Sequence, residues 1–345
     1  MTLVDADALL AFTTDVFTAH GLPAGDARAS AEALCHGDLT GMASHGVANL
    51  TRIYLPLLES GRAKADAKPE RLVDRGATVL VDGDRGLGLW LAGAAVELAA
   101  IRAADYGVGV VSVRNGTHFG CAGHHALRAV GQGMIGVVMA NCGHQQLVPA
   151  PTGGPRLLGT NPLAVAAPAG EHPPFLLDMS TTTAPTGKVR AAARAGEPAP
   201  PGWLADADGP VTDPAALDAG TARLTWLGAP GPAEHKGFGL GLAVEVLAAL
   251  LPGAGLGPPA GTGPDDDIGF LALALAPDAL RTGFAADAGS VFGAVLDAGA
   301  TYPGLPESVH SARSRAEGVP LADGLYAELE RVAAALDLTP PTVLG

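Results

Sequence analysis

The sequence predicts an α/β fold, on three observations. Between Thr78 and Ala140, apolar runs of strand length alternate with longer segments at helical spacing. Farther on, Leu163 to Ala167 and Phe175 to Leu177 are two short apolar runs parted by Gly and Pro, the pattern of paired strands. Both ends of the chain read as helix instead. At 345 residues the chain is long enough for a large core, as one big domain or two interleaved ones.

In chain order, Asp5 is placed to cap a helix through Leu9, Leu10, Phe12, Val16 and Phe17, which Gly21 and Pro23 end. Asp26 is placed to cap a second. A third is expected from Ser44 toward Gly61, with Val47, Leu50, Ile53, Tyr54, Leu57 and Leu58 at helical spacing. That makes Ser44 the N-cap and puts His45 in the first turn, where the helix dipole disfavours imidazolium. There follow a strand at 78–82, a helix at 87–106, a strand at 108–113, a helix at 122–130 and a strand at 135–140. No strand leads into GxGxxG, and no GxxxxGK[ST] occurs. Residues 195–235, rich in Pro, Gly and Asp, read as a long loop over the body or a lid. Lys236 and Gly237 open a Gly-rich helix, where free amides and a cation suit a phosphate; a solvated lysine at a helix entry is the plainer alternative. A strand at 270–276 and an amphipathic helix at 321–336 complete the pattern.

A hydrophobic fraction of 48% with 16% charged residues describes a globular chain. The net charge of -14 leaves no basic footprint for nucleic acid or an anionic membrane, so an anionic ligand would need local cations. Cys35, Cys121 and Cys142 are odd in number and form no CxxC, which indicates neither a disulfide framework nor a zinc ribbon. The start lacks the features of a signal peptide, and the apolar run 238–251 is too short to span a bilayer and carries Glu245. A cytoplasmic protein without membrane contact is expected.

Asp178 ends a strand, where a carboxylate needs a partner. It either binds turn amides or orients an imidazole. Two imidazoles stand in turn-like contexts: His45 in Ser44, His45, Gly46, and His118 in the stretch Asn115 to Gly123. Two histidines and a carboxylate point to proton transfer. His118, His124, His125 and His144 lie close in sequence, but no HxxxH or HExxH occurs, and no metal is expected.

Several segments together resemble the malate/L-lactate dehydrogenase family of the second, non-Rossmann type, which includes ureidoglycolate and sulfolactate dehydrogenases and piperideine-2-carboxylate reductases. They are GDLTGMASHG at 37–46, HFGCAG at 118–123, GMIGVVMAN at 133–141, GTNP at 159–162, LDMS at 177–180, GK at 187–188, KGFGL at 236–240, DIGF at 267–270 and YPG at 302–304. Each is weak alone; in this order they are specific. The resemblance implies a homodimeric oxidoreductase using NAD or NADP on a small-molecule substrate. It implies a mixed-sheet, non-Rossmann nicotinamide-binding domain at 115–300, a connecting α/β part at 73–114, and a helical domain from 1–72 joined by about 310–345, interleaved rather than sequential. Ser44, His45 and Asp178 match a proton-donating relay, and His118 the acid/base of other members. Phe119, Gly120, Cys121, Ala122, Cys142, Asp178, Met179, Ser180, Lys236 and Gly237 match cofactor contacts, and Thr160 a substrate contact.

The sequence departs from this pattern where a substrate carboxylate is gripped. Family members usually carry Arg at the position of Asn49 and often Tyr at that of Ile53, with Arg52 the nearest substitute. The expectation is reduction of a C=O or C=N bond in a substrate without the usual free carboxylate. A catalytically retired member serving as a binding or scaffold subunit is the alternative.

Overall fold

The computed structural model describes residues 1–229, 231–257 and 266–344. A short strand β1 (Thr2–Val4) leads into α1 (Ala6–Ala19) and α2 (Ala24–Leu39), then an irregular stretch and α3 (Leu55–Glu59). β2 (Glu70–Arg75), β3 (Thr78–Asp82), α4 (Gly88–Tyr106), β4 (Val108–Gly116), α5 (Ala122–Val130) and β5 (Ile135–Ala140) follow. Next come β6 (Val148–Ala150), β7 (Gly153–Leu158), β8 (Leu163–Ala169), β9 (His172–Met179) and α6 (Thr186–Ala195). Short pieces β10 (Leu204–Ala205), β11 (Pro210–Val211), α7 (Ala215–Asp218) and β12 (Arg223–Leu224) precede α8 (Glu234–Glu245) and β13 (Ile268–Leu275). The chain closes with α9 (Phe284–Asp297), α10 (Leu305–Glu317), β14 (Val319–Leu321) and α11 (Asp323–Leu336).

Seven strands form one mixed sheet in the order β2-β3-β4-β13-β5-β8-β9. Only β3 and β4 run parallel, joined by α4 as a crossover helix; β13 enters antiparallel between β4 and β5. The sheet carries α4 on β4 and β13 and α5 on β5 and β8. Small residues set how closely they pack: a Cβ on Gly109 of β4 would strike the Ala99 carbonyl of α4 at 1.9 Å. One on Gly136 of β5 would strike Ala126 of α5 at 2.3 Å. The abundant Gly and Ala of the sequence are thus the contact surfaces between layers.

The two ends of the chain meet: β1 pairs antiparallel with β14, and α1 packs on α11. Asp5 caps α1 by accepting from the Ala8 amide at 2.8 Å, as its position predicts. Asp26 does not cap α2; Pro23 occupies that place and Asp26 lies in the first turn. The expected boundary at 114/115 falls inside β4, which is bonded on both sides.

Two further expectations are corrected. Residues 44–61 are not one helix capped by Ser44: Ala43–His45 is a 3-10 turn, the chain breaks at Gly46, and Leu50–Tyr54 is a π turn running into α3. At this break, buried Asp38 accepts from the Val47 amide at 2.7 Å, tying the irregular stretch to α2. Nor is 195–235 a bare loop or lid. β10, β11 and β12 form a small sheet whose Leu204, Leu224 and fully buried Trp226 share a core with Val148, Leu158 and Val189. Among the described residues no helix is long and apolar enough to cross a membrane.

Candidate active site

β5 and β9 end, and β8 begins, at one side of a cavity of about 250 Å³, the scale of a small-ligand pocket. The sheet side is lined by Ala140, Asn141 and Cys142 after β5, Thr160 and Pro162 before β8, and Asp178, Met179 and Ser180 at the end of β9. The approach to α5 adds His118, Phe119, Gly120, Cys121 and Ala122. The opposite side is irregular: Met42, Ser44 and His45 from the 3-10 turn, with Pro185 and Lys188 at the start of α6.

His45 and His118 face each other across this space, ring centroids 6.0 Å apart and planes within 19°. The Ser44 hydroxyl is 3.0 Å from His45 Nδ1. Burial first, then the neighbouring His118 and the charges of Arg52 and Lys188, lower the His45 pKa to about 3, so its resting form is neutral. The hydroxyl of fully buried Tyr54 is 2.7 Å from His118 Nδ1, and the Gly120 amide donates to the same nitrogen at 3.3 Å. Gly120 has φ +77, where only glycine is unstrained, and that turn aims its amide at the imidazole.

Asp178 does not meet His45 in a hydrogen bond. Its Oδ2 accepts from the Gly123 amide at 2.8 Å, capping the first turn of α5, the turn-amide role that a strand-end Asp takes most simply. Burial raises its pKa to about 6, against the bond from Gly123. Asn49 is also elsewhere than expected. Buried outside the cavity wall, it donates from Nδ2 to the Ser44 carbonyl at 3.0 Å, so it holds the turn that presents His45. Arg52 and Ile53 stand outside the wall as well; burial and the charges of Arg190 and Arg194 lower the pKa of Arg52. Lys236 and Gly237 are likewise not in the wall, although Gly237 packs against Leu227, which is.

Sequence reasoning missed three residues here. Tyr54 stands one position beyond the expected aromatic, and its partner is distant in sequence. Lys188 is the cavity's own cation, set there because Gly187 lies against Ser44: a Cβ on that glycine would meet Ser44 Cβ at 3.0 Å. The GK pair was the only signal for it. Asp38, buried and raised to about 7 by that burial, stands inside the GDLTGMASHG segment, but nothing local marks its bond to the Val47 amide.

The wall suits a nicotinamide. Phe119, Ala122, Ala140 and Met179 offer apolar surface for a flat ring, and Thr160, Gln145 and Thr182 offer polar groups for a carboxamide. Burial raises the pKa of Cys121 and of Cys142, so both are thiols rather than nucleophiles. His124 and His125 lie away from the cavity with rings 83° apart, and among the described residues no group of three or more His, Cys, Asp or Glu is placed to hold a metal.

A family model described as malate/L-lactate dehydrogenase matches residues 4–330. A malate dehydrogenase of Pyrococcus horikoshii is 40% identical over 253 residues, 72% of this chain and 69% of that protein. A (2R)-3-sulfolactate dehydrogenase (NADP(+)) of Chromohalobacter salexigens is 34% identical over 91% of this chain and 92% of its own. The solved structure of a delta1-piperideine-2-carboxylate reductase from Pseudomonas syringae matches with TM-score 0.84 and 28% identity, over 96% of this chain and 100% of that one.

Proposed function

The chain belongs to the malate/L-lactate dehydrogenase family and is an oxidoreductase; from that premise we propose that it transfers hydride between NAD or NADP and the carbon of a C=O or C=N bond in a small 2-oxo acid or cyclic imine. The observation that carries this reading is the pair of imidazoles facing one cavity, His45 and His118, each with Nδ1 engaged by its own partner. When bound, the nicotinamide supplies or accepts the hydride. The chain's own residues hold the substrate and move its proton.

Neutral at rest, His45 is ready to take a proton from a substrate hydroxyl. In the reducing direction, a substrate carboxylate and the negative charge growing on the heteroatom raise its proton affinity, and the imidazolium returns the proton. Lys188 gives the cavity a cation although residue 49 is an amide. An anionic substrate held by Lys188 therefore replaces the carboxylate-free one expected from Asn49. Cavity residues Phe119 to Ala122, Cys142, Met179 and Ser180 are proposed to meet the nicotinamide half, Thr160 the substrate, and Lys236 a phosphate leaving past Leu227. The resemblance also supports a homodimer acting in the cytoplasm, the first of which light scattering tests.

Titration with NADH and NADPH comes first: a retired subunit binds neither, and that result would end the proposal. A panel of pyruvate, oxaloacetate, piperideine-2-carboxylate and their amides or esters, followed by NAD(P)H absorbance, then reads the substrate. Preference for the free acids, lost in Lys188→Ala, is expected; equal rates on the amides would remove Lys188 from recognition.

A further inference from the structure

The two histidines of the cavity differ in what is bonded to Nδ1, and the difference fixes their chemistry. At His118 the Gly120 amide donates to that nitrogen at 3.3 Å, and the Tyr54 hydroxyl lies 2.7 Å from it. A backbone amide only donates, so Nδ1 must be the acceptor and is unprotonated. A neutral ring then carries its hydrogen on Nε2. With Nδ1 unprotonated, the Tyr54 hydroxyl, at the shorter distance, donates its hydrogen to the same lone pair. At His45 the Nδ1 partner is the Ser44 hydroxyl, which donates or accepts equally well and locks nothing.

We propose that Tyr54 and the Gly120 amide hold His118 as a neutral Nε2–H hydrogen-bond donor, which polarises the substrate C=O or C=N and keeps its own proton, while His45 exchanges the proton. This rests on the reading given under Proposed function. As hydride reaches the substrate carbon, the π pair of the C=O or C=N bond moves onto the heteroatom. His118 Nε2–H stabilises that charge by hydrogen bonding, as a neutral imidazole can. The heteroatom is then protonated by the His45 imidazolium, which took its proton from solvent when the anionic substrate bound, leaving His45 neutral. Reversal takes the proton back to His45. Tyr54 touches no reacting atom, so it is a positioning residue. Tyr54 ends the π turn and is fully buried, in hydrogen-bond reach of His118.

Two measurements test this. The first is a nitrogen–proton NMR correlation on histidine-labelled protein at neutral pH. His118 is expected as the Nε2–H tautomer in the wild type and, with only the longer 3.3 Å amide contact left on Nδ1, as a mixture of tautomers in Tyr54→Phe. Imidazolium or Nδ1–H at His118 in the wild type overturns the proposal, even if no substrate is ever turned over. The second compares His118→Gln with His118→Ala. A glutamine amide donates a hydrogen bond from a position near Nε2 but transfers no proton, so kcat should fall no more than about tenfold in His118→Gln and about 10²- to 10³-fold in His118→Ala. Equal collapse of both variants, with dinucleotide affinity intact, makes His118 the proton carrier and refutes the assignment. Should wild-type protein bind no dinucleotide, the functional reading fails, while the tautomer measurement still decides the role of Tyr54.

Discussion

Asp178 and His45 face one cavity from walls held in different ways. On the sheet side, ladder register anchors the wall: Leu163 pairs with Met179 and Ala164 with Asp178, and Asp178 then caps α5. Across from it, Ser44, His45 and Tyr54 sit on a 3-10 turn and a π turn, where no ladder exists. Single side-chain contacts replace it: Asp38 on the Val47 amide, Asn49 on the Ser44 carbonyl, Tyr54 on His118. The sheet wall is redundant, so losing one contact costs stability and little else. The irregular wall depends on each contact separately, and it carries the proton chemistry.

His45→Ala breaks the comparison hardest. Turnover should fall by about 10²- to 10⁴-fold with dinucleotide affinity unchanged, which steady-state kinetics beside a binding titration would read. A matching loss of affinity would make His45 part of the cofactor's seat instead.

On the sheet wall the expected damage is to the fold. Asp178→Ala leaves the Gly123 amide without its acceptor and should cost about 1–3 kcal/mol in denaturant unfolding. Asp178→Asn keeps an acceptor oxygen and should retain most of both stability and turnover. Collapse of turnover in Asp178→Asn alone would restore the carboxylate to the proton path.

Asp38→Asn sharpens the contrast through pH. Burial raises the folded-state pKa of Asp38 to about 7, above its ordinary 3.8, so folding favours the protonated form. Its contribution is therefore complete below about pH 4 and declines as pH rises through 7. The wild type should exceed the variant in melting temperature by more at pH 5 than at pH 8; a difference that does not change with pH would count against a buried carboxyl there. The smallest effect is expected at Lys236, which is exposed. Its removal in Lys236→Ala should weaken dinucleotide binding by about 1 kcal/mol, and less in high salt.

The regular parts of the molecule were legible because burial on one face leaves a period in the sequence. The limits of α5 and β5 match the expected 122–130 and 135–140. Helix α9 leaves no such trace, since Ala288 is its one buried residue among those described. Leu50, Tyr54 and Leu57 are buried at helical spacing, yet between Ser44 and Tyr54 the backbone passes from a 3-10 turn through a break at Gly46 to a π turn instead of one regular α-helix. Side-chain periodicity does not report which carbonyl an amide chooses. Lys188 and Tyr54 were illegible for another reason: each reaches the site through a partner far away in the chain, and only the packed structure brings them there. Asp178 was legible in both its possible roles, and the contact with Gly123 is the one the structure holds.

Strand β13 has a consequence for how the molecule is made. It lies between β4 and β5, yet it follows them in the chain by more than a hundred residues. A nascent chain that has left the ribosome only as far as α8 holds two half-sheets, β2-β3-β4 and β5-β8-β9, each with an open edge where β13 belongs. Apolar β4 and β5 are then free to pair with each other or with another chain. Emergence of Leu275 from the ribosome is the step that closes the gap, and stalling before it should yield an aggregation-prone product that chaperones retain.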